Sequence, residues 1–282
     1  MKLGSEAHKE LFCRSFIDSH IEYDPETLPW LELDSVSLER LRGIPFWQEA
    51  LGIERHAGVM VSTFAETIDD PLIREAIALQ GREEMRHGRL IEYLIKRYGV
   101  PITEPELEEI PSDMETGFID FGFGECLDSY FAFGMFEIAR QAQYLPEPLF
   151  TIFDPILNEE ARHIVFFVNW VTYLQIQRGG SLGIFRGTHA LWHYGRSIWT
   201  LVKAFGGKGD REDQGFTASR ATTFMEDLTP ELFFSTCLQE NAHRMSQFDP
   251  RLLQPQLLPR LSKLALDVLK LFPKRQPVTT PQ

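Results

Sequence analysis

Apolar residues recur every three to four positions along most of this 282-residue chain, and no run alternates between apolar and polar residues long enough to predict a β-strand. This period places apolar side chains on one face of an α-helix, so the predicted fold class is all-α. Glycine and proline punctuate the pattern and set the helix boundaries. The predicted helices span residues 45–68, 71–98, 112–144, a segment ending near 179, 182–205, 230–246 and 255–271.

Local signals support several of these helix ends. Pro71 suits a first helical position, Gly99 suits the position just past a helix end, and Ser112 to Glu115 form a capping-box pattern. The start of the helix that ends near residue 179 is left open, because three prolines suit a first turn: Pro146, Pro148 and Pro155. The helix at 112–144 carries four glycines, each costing up to ~1 kcal/mol relative to alanine, so we expect a bend or a local irregularity there.

The segments outside these helices show no comparable periodicity. Residues 1–44 are expected to be irregular and to lie across the helices. Residues 206–217 form a predicted polar loop, and residues 274–282 a predicted disordered tail.

Two copies of one pentapeptide pattern indicate a functional site. Glu83 to His87 read Glu-Glu-Met-Arg-His, and Glu159 to His163 read Glu-Glu-Ala-Arg-His, each on a long predicted helix. Random placement at this composition predicts far less than one copy of Glu-Glu-x-Arg-His. In each copy Glu-x-x-His puts a carboxylate and an imidazole on one helix face about one turn apart, so both can bind the same metal or adjacent metals. We therefore predict Glu84, His87, Glu160 and His163 as metal ligands.

These motifs resemble the ferritin-like di-iron carboxylate family, in its oxygenase, oxidase and desaturase branch. The resemblance covers about residues 45–178. It implies a four-helix bundle with a di-iron centre at 45–180. The sequence pattern adds the irregular segment 1–44, a helical extension at 181–273 that packs on the bundle, and the tail at 274–282. The resemblance also implies two iron ions as cofactor, with manganese or a mixed Mn/Fe pair as the alternative.

The same resemblance implies two further glutamate ligands about 30 residues before each Glu-x-x-His. Glu54 occupies this position before Glu84, and helix lengths counted from the turn at Pro71 place Glu54 and Glu84 at one level. Glu66 lies too near the turn to reach that level. The spacing in the family assigns Glu125 as the second of these ligands. Ideal helix geometry does not favour Glu125 over its competitor Glu137, because both lie out of level with Glu160 by similar distances.

The residues beside the predicted ligands resemble the family's supporting positions. Glu83 and Glu159 correspond to acidic residues that orient a ligand imidazole, and Arg86 and Arg162 would complete that network. Exposed salt bridges are the alternative for all four. A third Glu-x-x-His, Glu240 to His243, has no suitably spaced upstream glutamate and is interpreted as a surface pair. His189 and His193 share a helix face without a nearby acidic partner in sequence, so they are interpreted as residues of an aromatic cluster or a pocket.

Charge and cysteine content exclude several classes of protein. The net charge of −13, from 41 acidic and 28 basic residues, would repel phosphate backbones and anionic lipids. The three cysteines form no Cys-x-x-Cys pair, so neither a disulfide framework nor a thiolate metal site is predicted. The N-terminus lacks the order of a secretory signal, and the apolar stretches are too short to span a bilayer. We expect a cytoplasmic protein that binds neither nucleic acid nor membrane.

The family resemblance and the aromatic-rich C-terminal residues together predict a function. We expect an O₂-activating oxygenase or oxidase acting on a mainly apolar small molecule. The C-terminal residues would form a pocket wall, cover a larger core or form a homodimer interface. No flavin or nicotinamide fingerprint occurs, so electrons would come from a separate ferredoxin or reductase. The alternatives are a non-catalytic iron-handling protein or ferroxidase, and a rubrerythrin-like peroxidase, although the usual Cys-x-x-Cys module of the latter is absent.

Overall fold

The computed structural model describes residues 1–106, 109–179, 223–225 and 228–271. Within these ranges the regular structure is helical and no β-strand occurs, which confirms the all-α prediction for the described part of the chain. A 3₁₀ turn spans Pro25–Thr27. The α-helices are α1 (Glu6–Asp18), α2 (Ser35–Arg42), α3 (Trp47–Glu66), α4 (Pro71–Tyr98), α5 (Met114–Gln141), α6 (Glu147–Gln177), α7 (Pro230–Met245) and α8 (Leu257–Leu271).

The expectation of an irregular segment before residue 45 is wrong for α1 and α2. Helix α1 is capped by the Ser5 side chain, which accepts a hydrogen bond from the backbone amide of His8. Its apolar face is short, and Phe12 and Phe16 bury it against α6. Such a short stripe gives little periodic signal. The predicted helix at 182–205, the loop at 206–217 and the tail at 274–282 lie outside the described residues.

Helices α3 and α4 form a closely packed antiparallel pair. A Cβ atom added to Gly58 would lie 3.1 Å from the backbone nitrogen of Met85, and one added to Gly81 would lie 2.9 Å from that of Ser62. At both places the two backbones approach too closely for a larger residue. This contact brings the middle of α3 against the middle of α4, where Glu54 and Glu84 lie.

Helix α5 continues without interruption through its four glycines, and two of these glycines are explained by packing. A Cβ atom at Gly122 would overlap the ring of Phe167 on α6, and one at Gly134 would lie 2.3 Å from Sγ of Cys237 on α7. The expected local irregularity is therefore absent from the hydrogen-bonding pattern of this helix. The glycines lower helix propensity, but they let α6 and α7 pack tightly on α5.

Helix α6 begins at Glu147, with Pro148 in its first turn and Pro155 inside it. This start decides among the three prolines left open by the sequence. A proline inside a helix lacks the amide that would bond the carbonyl four residues earlier, so one bond of the α6 ladder is missing at Pro155. The helix nevertheless continues through Glu160 and His163 to Gln177.

A buried amide joins the two ends of the described chain to α6. Asn169 on α6 shares a hydrogen bond of 3.0 Å with Nε2 of His8 on α1. Its Nδ2 donates to the carbonyl of Leu253, and its Oδ1 accepts from the amide of the same residue. Helix α1 and the segment before α8 are therefore held on the same side of α6. None of the helices in the described ranges combines the length and apolarity needed to cross a bilayer.

Candidate metal centre

The structure brings the six predicted ligand side chains together between the four long helices. Helices α3 and α5 contribute one glutamate each, and α4 and α6 contribute one Glu-x-x-His pair each. The potential ligand atoms form two groups, and within each group they all lie within 4.8 Å of one another. The groups are Glu54, Glu84, His87 and Glu160, and then Glu84, Glu125 and His163.

The two imidazoles contact the same two carboxylates through different oxygen atoms. Nδ1 of His87 lies 3.4 Å from a carboxylate oxygen of Glu84 and 3.2 Å from one of Glu160. Nδ1 of His163 lies 3.1 Å from Glu84 and 3.7 Å from Glu160. The ring centroids are 5.8 Å apart. Glu84 and Glu160 therefore lie between the two histidines, where a carboxylate could bridge two metal ions.

The remaining two carboxylates each lie beside one of these groups. Glu54 approaches Nδ1 of His87 at 3.4 Å. Glu125 belongs to the group of His163 and Glu84, and one of its oxygens is buried with no hydrogen-bond partner in the described part of the chain. The arrangement thus has two shared carboxylates in the middle and one glutamate plus one histidine at each end.

The donor set fits a pair of metal ions. Nδ1 of His87 and Nδ1 of His163 are both buried, and neither has a hydrogen-bond partner among the described residues, although buried polar atoms normally have one. The opposite ring nitrogens are occupied, since Nε2 of His87 donates to Glu159 at 2.8 Å and Nε2 of His163 donates to Glu83 at 2.9 Å. Each imidazole therefore has Nδ1 available to a metal and Nε2 engaged by a carboxylate, as metal-binding histidines usually do.

The supporting carboxylates cross between α4 and α6. Glu83, beside the first Glu-x-x-His, bonds the histidine of the second, and Glu159, beside the second, bonds the histidine of the first. Arg162 donates to Glu83 at 2.9 Å, and Arg86 donates to Glu159. All four side chains are buried, so the alternative of exposed salt bridges is wrong.

The N-terminal segment closes this network, which the sequence did not indicate. The His20 ring bonds Glu83 through Nδ1, and the Tyr23 hydroxyl donates to Glu159 at 3.2 Å. His20, Glu83 and Glu159 also form a group with ligand atoms within 4.8 Å. Their carboxylates already bond arginine and histidine, so this group is less available to a metal. These contacts join residues 63 and 136 positions apart, beyond the reach of any local pattern.

Burial controls the protonation of the two outer glutamates. Burial raises the pKa of Glu54 to about 7, and the charges of Glu84 and Glu160 add to that rise, although the nearby His87 imidazole opposes it. Burial and the neighbouring charge of Glu160 raise the pKa of Glu125 well above its usual range. Clustered carboxylates in a low-dielectric site are expected to take up protons in this way.

The pKa values of the two histidines are raised, whereas the pKa of the shared Glu160 is lowered. Burial alone would lower the pKa of His87 and His163, but the surrounding carboxylates raise both well above the usual range. Burial alone would raise the pKa of Glu160, but its interactions with the two histidines hold it well below that range. Without metal, protons on His87, His163 and the outer glutamates therefore offset the charge of the cluster.

The competing candidates lie elsewhere. Glu137 accepts a hydrogen bond from Gln141 at 2.8 Å and lies 3.9 Å from Arg140, away from both metal-ligating groups. Glu66 is exposed at the end of α3, and His243 is exposed on α7. Neither Glu240 nor His243 belongs to a potential ligand group in the described part of the chain. His189 and His193 lie outside the described residues.

An apolar cavity of about 120 Å³ adjoins the cluster. Three of the predicted ligands reach its wall: Glu54, Glu125 and Glu160. The other walls are mainly aromatic and aliphatic side chains from α3, α5 and α6, with Ile91 from α4. They include Trp47, Ile53, Ala132, Phe136, Phe153, Ile156 and Leu157.

Comparison with known proteins gives no match to this chain, since no protein-family model, no curated protein and no solved structure matches it.

Proposed function

We propose that this chain is a ferritin-like four-helix bundle around a di-iron centre, and that it is an O₂-activating oxygenase or oxidase of a small, mainly apolar organic molecule. One observation carries the proposal. Two buried imidazoles present Nδ1 atoms, which no described residue hydrogen-bonds, to two buried and two half-buried carboxylates, and three of those carboxylates line an apolar cavity. A metal site next to a small-molecule cavity is the usual arrangement of an enzyme that acts on a bound substrate.

The geometry supports a specific distribution of ligands. Glu84 and Glu160 would bridge the two ions, because each lies within 4 Å of both Nδ1 atoms. Glu54 and His87 would be the further ligands of one ion, and Glu125 and His163 those of the other. Four ionised carboxylates balance two divalent ions, so the occupied site would be formally neutral and suited to burial.

The donors are oxygen and imidazole nitrogen, which suit iron and also manganese. Iron is the metal that we propose. None of the potential ligand groups in the described residues contains a cysteine. When bound, two ferrous ions would supply the electrons and the Lewis acidity that the reduction of O₂ requires. A separate ferredoxin or reductase is the proposed source of further electrons.

The chain's own residues would prepare the site in two ways. Glu83 and Glu159 fix the imidazole orientations and keep the proton on Nε2, which leaves Nδ1 free for the metal. Trp47, Phe136 and Phe153 keep the adjoining cavity apolar, which would exclude water from the reacting region.

The second candidate is an iron-handling protein or ferroxidase, or a peroxidase of the rubrerythrin type. The same ligands would serve these functions, but none requires an organic binding site. The cavity beside Glu54, Glu125 and Glu160 therefore favours the oxygenase or oxidase.

Anaerobic titration with Fe²⁺ tests the proposal. We expect two tightly bound irons per chain and consumption of O₂ once air is admitted. The variant His163→Ala should lose tight binding of one iron. His243→Ala should still bind two irons, because the His243 ring is exposed in the wild-type protein. Fewer than two irons in the wild-type protein would contradict a di-iron site, and many irons per chain would favour storage.

A further inference from the structure

The cavity beside the metal centre carries one acidic group that is not a proposed ligand. Asp128 lies on α5 one turn beyond Glu125, and its side chain lines the cavity together with Ala132 and Phe136. Residues three apart on a helix lie on the same face, so Asp128 and Glu125 point to the same side of α5. Asp128 is therefore close to the metal centre without being part of it.

Asp128 has no compensating partner among the described residues. Its charged neighbours are Glu49 and Glu160, and both are acidic. No hydrogen bond to its carboxylate occurs in the described part of the chain. Burial, together with these two negative neighbours, raises the pKa of Asp128 to about 7. An unpaired carboxylate in an apolar wall is unfavourable, so a ligand that supplies a positive charge would be stabilised there.

The ionisable residues that the described structure contributes to the cavity wall are all acidic. They are Glu54, Glu125, Asp128 and Glu160, and no lysine, arginine or histidine lines it there. If the three glutamates neutralise bound metal ions, Asp128 is the remaining charge on the wall. A carboxylate substrate would be repelled by this surface, whereas a cationic one would be attracted.

We propose that Asp128 binds the ammonium group of a small apolar amine, so that the substrates of this site are amines and not carboxylic acids. This inference rests on the proposed function, because it names the substrate class of the same site. The cavity of about 120 Å³ limits the substrate to a short chain or at most a single ring, since an engineered cavity of about 150 Å³ accepts benzene. With its nitrogen on Asp128, the apolar part of such a molecule would extend beside the metal ligands.

Three probes of similar shape test the charge preference: benzylamine, benzyl alcohol and benzoate. Their binding is measured by calorimetry on the full chain, both metal-free and loaded anaerobically with Fe²⁺. We expect benzylamine to bind at least tenfold more tightly than benzyl alcohol, and benzoate to show no saturable binding. Asp128→Asn, which keeps the shape and removes the charge, should lower benzylamine affinity at least tenfold.

The matched control is Asp120→Asn, an exposed carboxylate on the same helix. It should bind benzylamine as the wild type does. Unchanged benzylamine affinity in Asp128→Asn, benzoate binding as tight as that of benzylamine, or no saturable binding of any probe would overturn the inference. If the amine preference depends on Asp128 but the protein neither binds two irons nor consumes O₂, the proposed function fails and the inference stands. If iron and O₂ behave as proposed but Asp128 does not affect amine binding, the inference alone fails.

Discussion

Glu83 of α4 accepts a hydrogen bond of 2.9 Å from Nε2 of His163 on α6. It does not bond His87, which lies one turn further along its own helix. The two Glu-Glu-x-Arg-His motifs thus support each other across the helix interface: each supplies the metal-facing pair on its own helix and the orienting carboxylate for the other.

The first prediction concerns this crossed support. Glu83→Gln replaces a carboxylate that accepts from both His163 and Arg162 by an amide, which weakens the hold on the imidazole. Loss of such a supporting partner typically lowers metal affinity by ~10–100-fold. We expect two irons still to bind, but more weakly, in an anaerobic competition titration against a chelator. Glu75→Gln, at an exposed position of the same helix, is the control and should bind iron like the wild type. Equal affinities for the two variants would contradict this role.

The second prediction separates Glu125 from Glu137. Glu125→Ala removes a carboxylate from the group of Glu84 and His163, so we expect tight binding of one iron to be lost. Glu137→Ala removes contacts with Gln141 and Arg140, neither of which is a predicted ligand, and should retain two irons. Metal analysis after desalting measures the number of irons bound per chain in both variants. Retention in the first variant with loss in the second would reverse the assignment.

The third prediction is that iron binding releases protons. The pKa of Glu54 is raised to about 7 by burial, and those of His87 and His163 lie well above the usual range. A metal ligand must be deprotonated, so ions compete with protons at these groups. Fe²⁺ affinity should therefore rise as the pH rises from about 6 to 8. Anaerobic calorimetry in two buffers of different ionisation enthalpy counts the protons released. An affinity independent of pH would show that the metal-free site is not protonated.

The fourth prediction concerns the packing of α5 on α7. Gly134→Ala puts a methyl group 2.3 Å from Sγ of Cys237 and 3.0 Å from its Cα atom, and overpacking of this kind costs ~1–3 kcal/mol. Gly124→Ala is the matched control, because no atom of the described residues lies within 4 Å of its added Cβ atom. That change should be neutral or stabilise the helix by up to ~1 kcal/mol. Denaturant unfolding measures the free energy of unfolding of the two variants. Equal values would contradict the close contact between α5 and α7.

The sequence predicted those parts of the site that depend on one helix at a time. Glu84 with His87, and Glu160 with His163, are three residues apart, so helical geometry alone puts each pair on one face. Glu54 could be aligned with Glu84 because the turn at Pro71 marks where α4 begins. The position of Asp70 as the N-cap of α4 supports that alignment.

Glu125 was harder to place because it depends on where two helices end. With α5 continued to residue 144 and α6 begun at Pro148, Glu125 and Glu160 differ by about 10 Å in level. In the structure α5 ends at Gln141 and α6 begins at Glu147. Measured from these ends, the mismatch falls to three residues, or about 4.5 Å of helix. An error of a few residues in helix ends was therefore enough to leave Glu137 in competition.

The contacts of His20 and Tyr23 could not be predicted, since no residue near them in sequence marks their partners. The same holds for Asp128 as a cavity residue, because its neighbours Glu49 and Glu160 come from two other helices. Such groupings depend on how helices pack, which a periodic pattern does not specify.

The bonds of His20 to Glu83 and of Tyr23 to Glu159 also set an order of assembly. During synthesis the segment that carries His20 and Tyr23 leaves the ribosome before its partners, since Glu159, the partner of Tyr23, follows 136 residues later. This face of the site can close only when α6 has been made. Incorporation of metal is thus expected as a late event in the maturation of the chain, after translation has passed His163.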